Sequence, residues 1–203
     1  MRATDEAGHA DAARPGRRRA DRRNEILRAA MAVIAERGYR GASLAAVADR
    51  VGITQQGLLH YFPTKEDLLV ALLEARDEWD TAGATEQATG PWPLDLLATL
   101  VEYNASRPGV VQTFSALLGE SVTGDHPARE FFTRRYTTIR ASLTETLRRE
   151  FGDRLPGNLT PEAVAPLVIA VMDGMQFQWL LDADEADMTA SFNALIQLLR
   201  QAT

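Results

Sequence analysis

Side chains able to bond the edges of nucleic-acid bases lie close together between residues 54 and 65. Gln55 and Gln56 are adjacent, and a glutamine amide can pair with adenine in the major groove of DNA. Gly57 would let the backbone approach a base closely, because it has no Cβ atom. His60 could touch a base or a phosphate, or could be an ordinary surface residue. This pattern favours hydrogen bonding to base edges.

Groups suited to phosphate surround those residues at Ser43, Thr54, Tyr61 and Lys65. Hydroxyl groups and free backbone amides at helix N-termini can bind phosphate, and lysine adds a point charge. Ser43 and Thr54 can also cap helices, and Tyr61 can pack in a core. The two roles are compatible, because the amides next to a cap can still serve phosphate.

A helix-turn-helix would present these groups together. Ser43 can cap a first helix, which Gly52 can end because glycine takes a positive φ without steric cost. Thr54 can cap a second helix over residues 55–61, and Pro63 stops it. In such a motif the second helix lies in the major groove of DNA. The alternative is any hairpin of helices in a bundle.

Residues 22–69 resemble the DNA-binding domain of the TetR family of one-component transcriptional regulators. The matching residues are Ile26, Leu27, Ala29, Ala30, Gly38-Tyr39, Ser43-Leu44, Val47-Ala48, Val51-Gly52-Ile53-Thr54 and Tyr61-Phe62-Pro63-Thr64-Lys65-Glu66-Asp67-Leu68. Residues 167–188 resemble, more weakly, the eighth helix and following loop of many members. One position departs from the pattern, since Leu59 stands where the family often has a tyrosine. Leucine cannot donate to a phosphate, so Leu59 either touches a thymine methyl group or packs.

Charge is divided unevenly along the chain, whose net charge is −6. Residues 17–65 contain 10 Arg or Lys and 4 Asp or Glu, whereas residues 66–203 contain 10 and 21. A basic head on an acidic body is what phosphate binding at one end requires. Residues 1–20 are predicted to form a disordered basic arm. Its arginines either follow the DNA backbone or enter the minor groove, or belong to a solvated tail.

Composition excludes several classes of protein. The chain has no apolar run of 18 residues and no apolar N-terminal signal, which predicts a cytoplasmic protein with no membrane partner. It has no cysteine, and therefore no disulfide, thiolate zinc site or cysteine nucleophile. The only histidines are His9, His60 and His126, and neither metal-ligand spacing nor a glycine-rich phosphate loop is present. We therefore expect no catalytic residues, no metal and no cofactor, and the alternative of an all-α enzyme is disfavoured.

The pattern of apolar residues, caps and breakers predicts an all-α fold of about nine helices. The expected segments are a disordered arm at 1–20, a helix-turn-helix domain at 21–66, and a ligand-binding and dimerisation domain at 67–203. The predicted helices are 22–37, 44–51, 55–61, 65–80, 94–106, 110–121, 127–150, 161–181 and 186–201, with a polar linker at 81–91.

Helix 8 is apolar on two sides at about 100° per residue, which indicates burial on both. The family resemblance implies that one side meets a partner subunit and the other faces the body of its own subunit. The predicted dimer interface is Ala170, Gly174, Phe177, Leu181, Phe192, Leu195 and Leu199. The alternative is that these residues are buried within one subunit.

The same resemblance implies a ligand cavity framed by helices 5–8. The candidate wall residues are Trp92, Tyr103, Phe114, Leu117, Met172, Met175, Gln176 and Trp179, a mostly apolar set that suits a small-molecule pocket. Aromatic and methionine residues at helical spacing are also ordinary core residues. No charged residue clearly marks a counter-ion, and Asp173 lies between the two faces of helix 8.

The resemblance thus implies a homodimeric transcriptional regulator, most often a repressor in this family. The body would bind a small, mostly apolar effector, and helix 4 would carry the change to the head. The two recognition helices would then no longer match successive major grooves, which are about 34 Å apart. A twofold dimer predicts a near-palindromic operator. The alternatives are a transcriptional activator, or an architectural DNA-binding protein without an effector and without a cavity in its body.

Overall fold

The computed structural model describes residues 15–85 and 93–201, which form nine α-helices and a single 3-10 turn and contain no β-sheet. The helices are α1 (Pro15–Gly41), α2 (Leu44–Val51), α3 (Gln55–Leu59), α4 (Lys65–Thr85), α5 (Leu94–Ala105), α6 (Pro108–Ser121), α7 (Arg129–Phe151), α8 (Pro161–Leu181) and α9 (Met188–Gln201), with the 3-10 turn at Pro156–Asn158. The all-α prediction is confirmed.

Helix α1 differs from its predicted span at both ends. It begins at Pro15, so residues 15–20 are helical although they were expected in the disordered arm. It is kinked at Gly38, whose φ of 67° and ψ of 168° suit only glycine, and this is where the sequence predicted the helix to end. The last turn, after the kink, is held by a hydrogen bond from Ala42 N to Gly38 O at 3.1 Å. Residues 1–14 lie outside the described part of the chain.

Other boundaries also differ from the prediction, among them those of α3, α4 and α9. Helix α4 continues to Thr85, so residues 81–85 are helical rather than linker, and the remainder of that linker lies outside the described residues. Helix α3 is shorter than expected, because Leu58 O accepts hydrogen bonds from the amides of both Tyr61 and Phe62 and closes a turn there. Helix α9 begins at Met188, after Asp187 Oδ1 has accepted a hydrogen bond from an amide in the first turn.

Two hydrophobic clusters hold the helices together. The first is shared by α1–α4 and by α6 and α7, and the second joins α5, α7, α8 and α9. In the first cluster, Leu58 and Leu72 are fully buried together with Phe114 and Phe132 of the body. Helix α1 also packs directly against α6. The head and the body therefore share one core rather than meeting across a polar joint.

Helix α8 has the length and apolar composition of a membrane-spanning helix. In this fold it packs against α7 and α9, with Val164 and Val168 buried in the second cluster. The opposite side of the helix remains uncovered in one subunit, where Leu181 is 87% exposed. One apolar side of α8 is thus buried in the second cluster, and the other has no packing partner among the described residues.

Candidate nucleic-acid interface and effector cavity

Local caps fix the geometry of α2 and α3. Ser43 Oγ accepts a hydrogen bond from Ala46 N at 3.1 Å, and Thr54 Oγ1 accepts one from Gly57 N at 3.0 Å. Gly52 ends α2 in the left-handed conformation, with a φ of 74°. Leu58 anchors α3 to the core, because its side chain is fully buried. These local caps and the burial of Leu58 in the first cluster together orient α3.

The three predicted base-reading side chains lie on the open side of α3. Gln55, Gln56 and His60 are exposed, so their polar groups can reach a DNA groove. Gly57 is half-buried, and a Cβ atom built there would lie 3.3 Å from Thr54 Oγ1. A larger residue at this position would therefore press on the cap of the helix.

The four predicted phosphate ligands differ in exposure. Ser43 and Thr54 are exposed, and Tyr61 is half-buried. Lys65 Nζ lies 4.3 Å from the centre of the Tyr39 ring, and it donates a long hydrogen bond of 3.4 Å to a backbone carbonyl of α1. This arrangement holds the ammonium group at the side of the head, beside the start of α4.

Two further features define the surroundings of Lys65. A capping box opens α4, with Asp67 N donating to Thr64 Oγ1 at 3.0 Å and Thr64 N donating to Asp67 Oδ2 at 3.1 Å. Burial, together with the charges of Glu66 and Glu120, raises the pKa of Tyr39 to about 12. The ring under Lys65 is therefore a neutral phenol at physiological pH.

Leu59 is half-buried at the C-terminal end of α3. This position leaves part of the side chain open toward the surface, so both the packing role and contact with a thymine methyl group remain predictions.

A cavity of about 550 Å³ lies in the body between α4, α5, α6, α7 and α8. Its apolar lining consists of Leu97, Leu100, Phe114, Phe131, Ile139, Leu143, Ile169 and Met172. Its polar lining consists of Glu74, Arg76, Asp77, Asn104, Arg134, Arg135, Thr138, Ser142, Thr146, Asp173 and Gln176. This volume lies within the range of small-molecule sites in proteins.

A charged cluster forms the α4 side of the cavity. Arg135 Nε donates to both oxygens of Asp77, at 2.8 and 3.1 Å, and Arg76 Nη1 donates to Asp77 Oδ1 at 3.2 Å. Both guanidinium groups also lie over the ring of Phe114, with centroid distances of 4.3 Å for Arg76 and 4.9 Å for Arg135. Helices α4, α6 and α7 are thereby joined at one point of the wall.

A second polar pair contributes to the α8 side. The Tyr136 hydroxyl donates a hydrogen bond of 2.6 Å to Asp173 Oδ2. Burial raises the pKa of Asp173, and the Tyr136 hydroxyl and the Arg135 charge offset only part of that effect. Burial, followed by the bond to Asp173, also raises the pKa of Tyr136. The sequence placed Asp173 between the two faces of helix 8, and in the structure it lines the cavity.

Only three of the eight predicted cavity residues line this cavity: Phe114, Met172 and Gln176. Trp92 lies outside the described residues. Tyr103 is 45% exposed, with the Arg107 guanidinium over its ring, so it belongs to the surface. Leu117 is buried in the first cluster, between head and body. Met175 and Trp179 lie against the second cluster rather than the cavity.

The predicted dimer residues divide between an exposed and a buried set. On α8, Ala170, Phe177 and Leu181 are exposed, and a Cβ atom built on Gly174 would meet nothing within 4 Å. Phe192 of α9 is only 1% exposed, because it belongs to the core of its own subunit, so its assignment to the interface is corrected.

The remaining residues of that predicted interface also turn inward. Leu195 and Leu199 are half-buried against the second cluster. The exposed apolar residues that the prediction omitted are Leu167, at 56%, and Leu198, at 67%. The apolar stripe of α9 therefore serves mainly its own subunit.

The charged residues of the cavity wall were missed, although α7 contains a signal for them. Phe131, Arg135, Thr138, Ser142 and Thr146 recur at helical spacing, and all of them line the cavity. A stripe of small polar residues and one arginine on a long helix indicates the polar lining of a cavity rather than an apolar core.

Both the head and the body of the chain match known protein families. Residues 26–72 match the family model described as bacterial regulatory proteins, tetR family, and residues 94–201 match the model described as BetI-type transcriptional repressor, C-terminal. The second match alone spans more than half of the chain.

Individual proteins give the same result. The HTH-type transcriptional regulator BetI of Paraburkholderia phymatum is 30% identical over 88% of this chain and 92% of its own length, and that of Paraburkholderia phytofirmans is 29% identical over 84% and 87%. A TetR transcription regulator of Haloarcula marismortui matches the fold with a TM-score of 0.74 at 18% identity, covering 90% of this chain and 98% of that one. The resemblance seen in the sequence is thus confirmed. The chain belongs to the TetR family of transcriptional regulators and is a DNA-binding repressor with a BetI-type C-terminal domain.

Proposed function

We propose that this repressor acts as a homodimer, reads a near-palindromic operator with α3, and is released by a small amphipathic molecule bound in the body. The observation that carries the proposal is the joint presence of an exposed polar recognition helix and a cavity of about 550 Å³ in one continuous structure. We expect the protein to work in the cytoplasm, where its DNA target lies.

Base reading is assigned to Gln55, Gln56 and His60. Their exposure, on a short helix capped by Thr54 and anchored by Leu58, supports entry into a major groove. Thr54 is one of the assigned phosphate ligands, together with Ser43, Tyr61 and Lys65, because these groups flank the reading face.

The reading face can be tested on a DNA duplex that the protein itself selects from a random library. We expect Gln55→Ala and Gln56→Ala each to reduce discrimination against a mismatched base by about 1–3 kcal/mol, roughly 5- to 150-fold. Gln112→Ala is a matched control, because Gln112 is an exposed glutamine on α6 of the body. If all three variants discriminate equally against the mismatched base, the assignment of base reading to Gln55 and Gln56 is wrong.

Dimerisation is assigned to the uncovered side of α8. Leu167, Phe177 and Leu181 are exposed on this side, and the absence of a side chain at Gly174 would allow close approach of a second helix. Leu198 on α9 extends the same apolar surface. A four-helix contact between two subunits would cover it.

The dimer can be tested by analytical ultracentrifugation. Leu181→Asp should shift the protein toward monomer and weaken operator binding, because a charge would be buried at the interface. Val122→Asp is the matched control, since Val122 is 68% exposed and caps the end of α6 rather than belonging to α8 or α9. The assignment fails if both variants sediment as the wild type does.

The effector is inferred to have an apolar body and a polar end. The cavity wall combines Phe114, Met172 and other apolar residues with the Arg76–Asp77–Arg135 cluster and with Gln176. The expectation of a small, mostly apolar effector stays a prediction, to which this lining adds a polar end. A molecule bound against the cluster would touch α4, the helix that begins beside α3.

The coupling would act through that contact. Asp77 belongs to α4, whose first residues follow the helix-turn-helix, whereas Arg135 belongs to α7. An effector group that bonds Arg135 would compete with Asp77 and favour a different position of α4. The two heads of the dimer would then no longer match successive major grooves.

A second candidate function, an architectural DNA-binding protein without an effector, predicted a body without a cavity. The cavity between α4 and α8 favours the sensor. The test is a gel shift with the selected operator in the presence of a library of amphipathic small molecules. Release by some members, abolished by Met172→Trp to fill the cavity, would support the sensor. If no member changes the binding of the protein to the operator or the thermal stability of the protein, the architectural function would be favoured.

A further inference from the structure

The first two turns of α1 form a basic surface on a helix, where the sequence predicted a disordered arm. The helix begins at Pro15, about two turns before the expected start at Arg22. Three arginines, Arg17, Arg18 and Arg19, lie in this extension and Arg22 follows it, and all four are exposed. Their positions are therefore set by a helix.

Two aromatic contacts fix the extension to the head. The Arg19 guanidinium lies 5.9 Å from the centre of the Tyr61 ring, and that of Arg23 lies 5.2 Å from the centre of the Phe62 ring. At about 100° per residue, Arg19 and Arg23 continue the face that buries Leu27 in the core. The extension thus lies next to the exit of the recognition helix.

An open cleft of about 620 Å³ separates the extension from the helix-turn-helix. It is lined by Arg18, Arg19, Asp21, Arg22, Glu25 and Tyr61. Arg22 is paired with Glu25 at 2.7 Å, whereas Arg18 has no ion-pair partner among the described residues. The cleft therefore has a surplus of positive charge.

We propose that this cleft binds a phosphate of the DNA backbone that flanks the bases read by α3, with Arg18 and Arg19 as the binding residues. Tyr61 is shared between the cleft and the phosphate-binding set of the reading face, so the two surfaces are continuous. Charge complementarity selects the polyanion, because the surrounding head, residues 17–65, has a net charge of +6. The inference rests on the proposed function, in which α3 enters the major groove.

The expected effect is electrostatic and independent of sequence. Each phosphate contact contributes about −0.9 to the slope of log K against log salt concentration. Two Arg18 side chains in a dimer should account for about 1.8 of that slope. Lowering the salt from 1 M to 0.1 M should therefore strengthen the binding of Arg18→Ala about 60-fold less than it strengthens that of the wild type. The factor should be the same for an operator and for a mixed-sequence duplex. The ratio between the two duplexes should not change.

The experiment measures binding by fluorescence anisotropy from 0.05 to 0.5 M NaCl with both duplexes. Arg18→Lys should retain most of the slope, because it keeps the charge. Arg140→Ala is the matched control, since Arg140 is exposed on α7 and does not line the cavity. Unaltered circular dichroism of Arg18→Ala would show that the fold is intact.

Two results would overturn the inference. One is a salt slope of Arg18→Ala equal to that of Arg140→Ala, and the other is a loss of affinity confined to the operator. A wild-type protein that fails to bind any duplex would instead contradict the proposed function, which keeps the two failures distinct.

Discussion

Replacing Asp77 by asparagine should destabilise the protein far more than breaking a shorter but exposed ion pair. Asp77 accepts three hydrogen bonds, two from Arg135 and one from Arg76, at 2.8–3.2 Å. The Asp77 side chain is 31% exposed, and those of the two arginines are 20% and 5% exposed. The matched comparison is the pair of Arg134 with Glu130, whose distance is only 2.6 Å but whose side chains are 57% and 81% exposed.

Burial, rather than distance, sets the expected magnitudes. A hydrogen bond to a charged group contributes about 1.5–3 kcal/mol, and breaking a fully buried pair costs about 3–5 kcal/mol. Since Asp77 is partly exposed, we expect Asp77→Asn to lower the free energy of unfolding by about 2–3 kcal/mol. Glu130→Gln should cost no more than about 0.5 kcal/mol, because solvent screens that pair.

The assay is urea unfolding followed by circular dichroism at one fixed protein concentration, because the apparent stability of a dimer depends on concentration. At 1 M NaCl the small effect of Glu130→Gln should vanish, whereas that of Asp77→Asn should persist. The reasoning is refuted if the two variants lose the same stability to within about 0.5 kcal/mol, a difference too small for burial to matter.

Three further predictions concern single positions. Asp173→Asn should keep the Tyr136 hydrogen bond and remove a desolvated charge, so it should be as stable as the wild type or more so at pH 7, whereas Asp173→Ala should lose about 1–3 kcal/mol in thermal unfolding. Since the pKa of Asp173 is raised in the fold, the wild type should lose stability as pH rises through that pKa, and Asp173→Asn should lack this loss. Gly52→Ala should cost about 1–2 kcal/mol in urea unfolding through its left-handed backbone alone, because a Cβ atom there meets nothing within 4 Å; a neutral result would contradict a φ of 74°. Thr54→Ala should cost about 1 kcal/mol by removing the cap of α3, while Thr54→Ser should retain it.

The head was predictable from the sequence because its geometry is encoded locally. Ser43 and Thr54 each cap a helix by bonding an amide three residues on, and Gly52 ends a helix by its own backbone conformation. Such signals lie within a single turn of chain. These signals did not give the end of α3 or the start of α1, whose arginines at residues 17–19 suit a disordered tail as well as a helix whose side chains stack on aromatic rings.

The body was less predictable because its decisive contacts are distant in sequence. Arg135 and Asp77 are 58 residues apart, and nothing in the period of either helix indicates that they meet. The stripe that contains Phe192 has the same spacing whether it faces its own core or a partner subunit. Periodicity identified the apolar face correctly but could not say what covers it.

The shared core of head and body limits how this protein can be re-engineered. Leu58 and Leu72 lie in one cluster with Phe114 and Phe132, and α1 rests directly on α6. A reader of this kind grafted onto the sensor of another regulator at residues 66–67 would lose the supporting surface that α6 and α7 supply. Functional chimeras should therefore be obtained only when the exchanged unit includes the surface of α6 and α7 against which the head is packed.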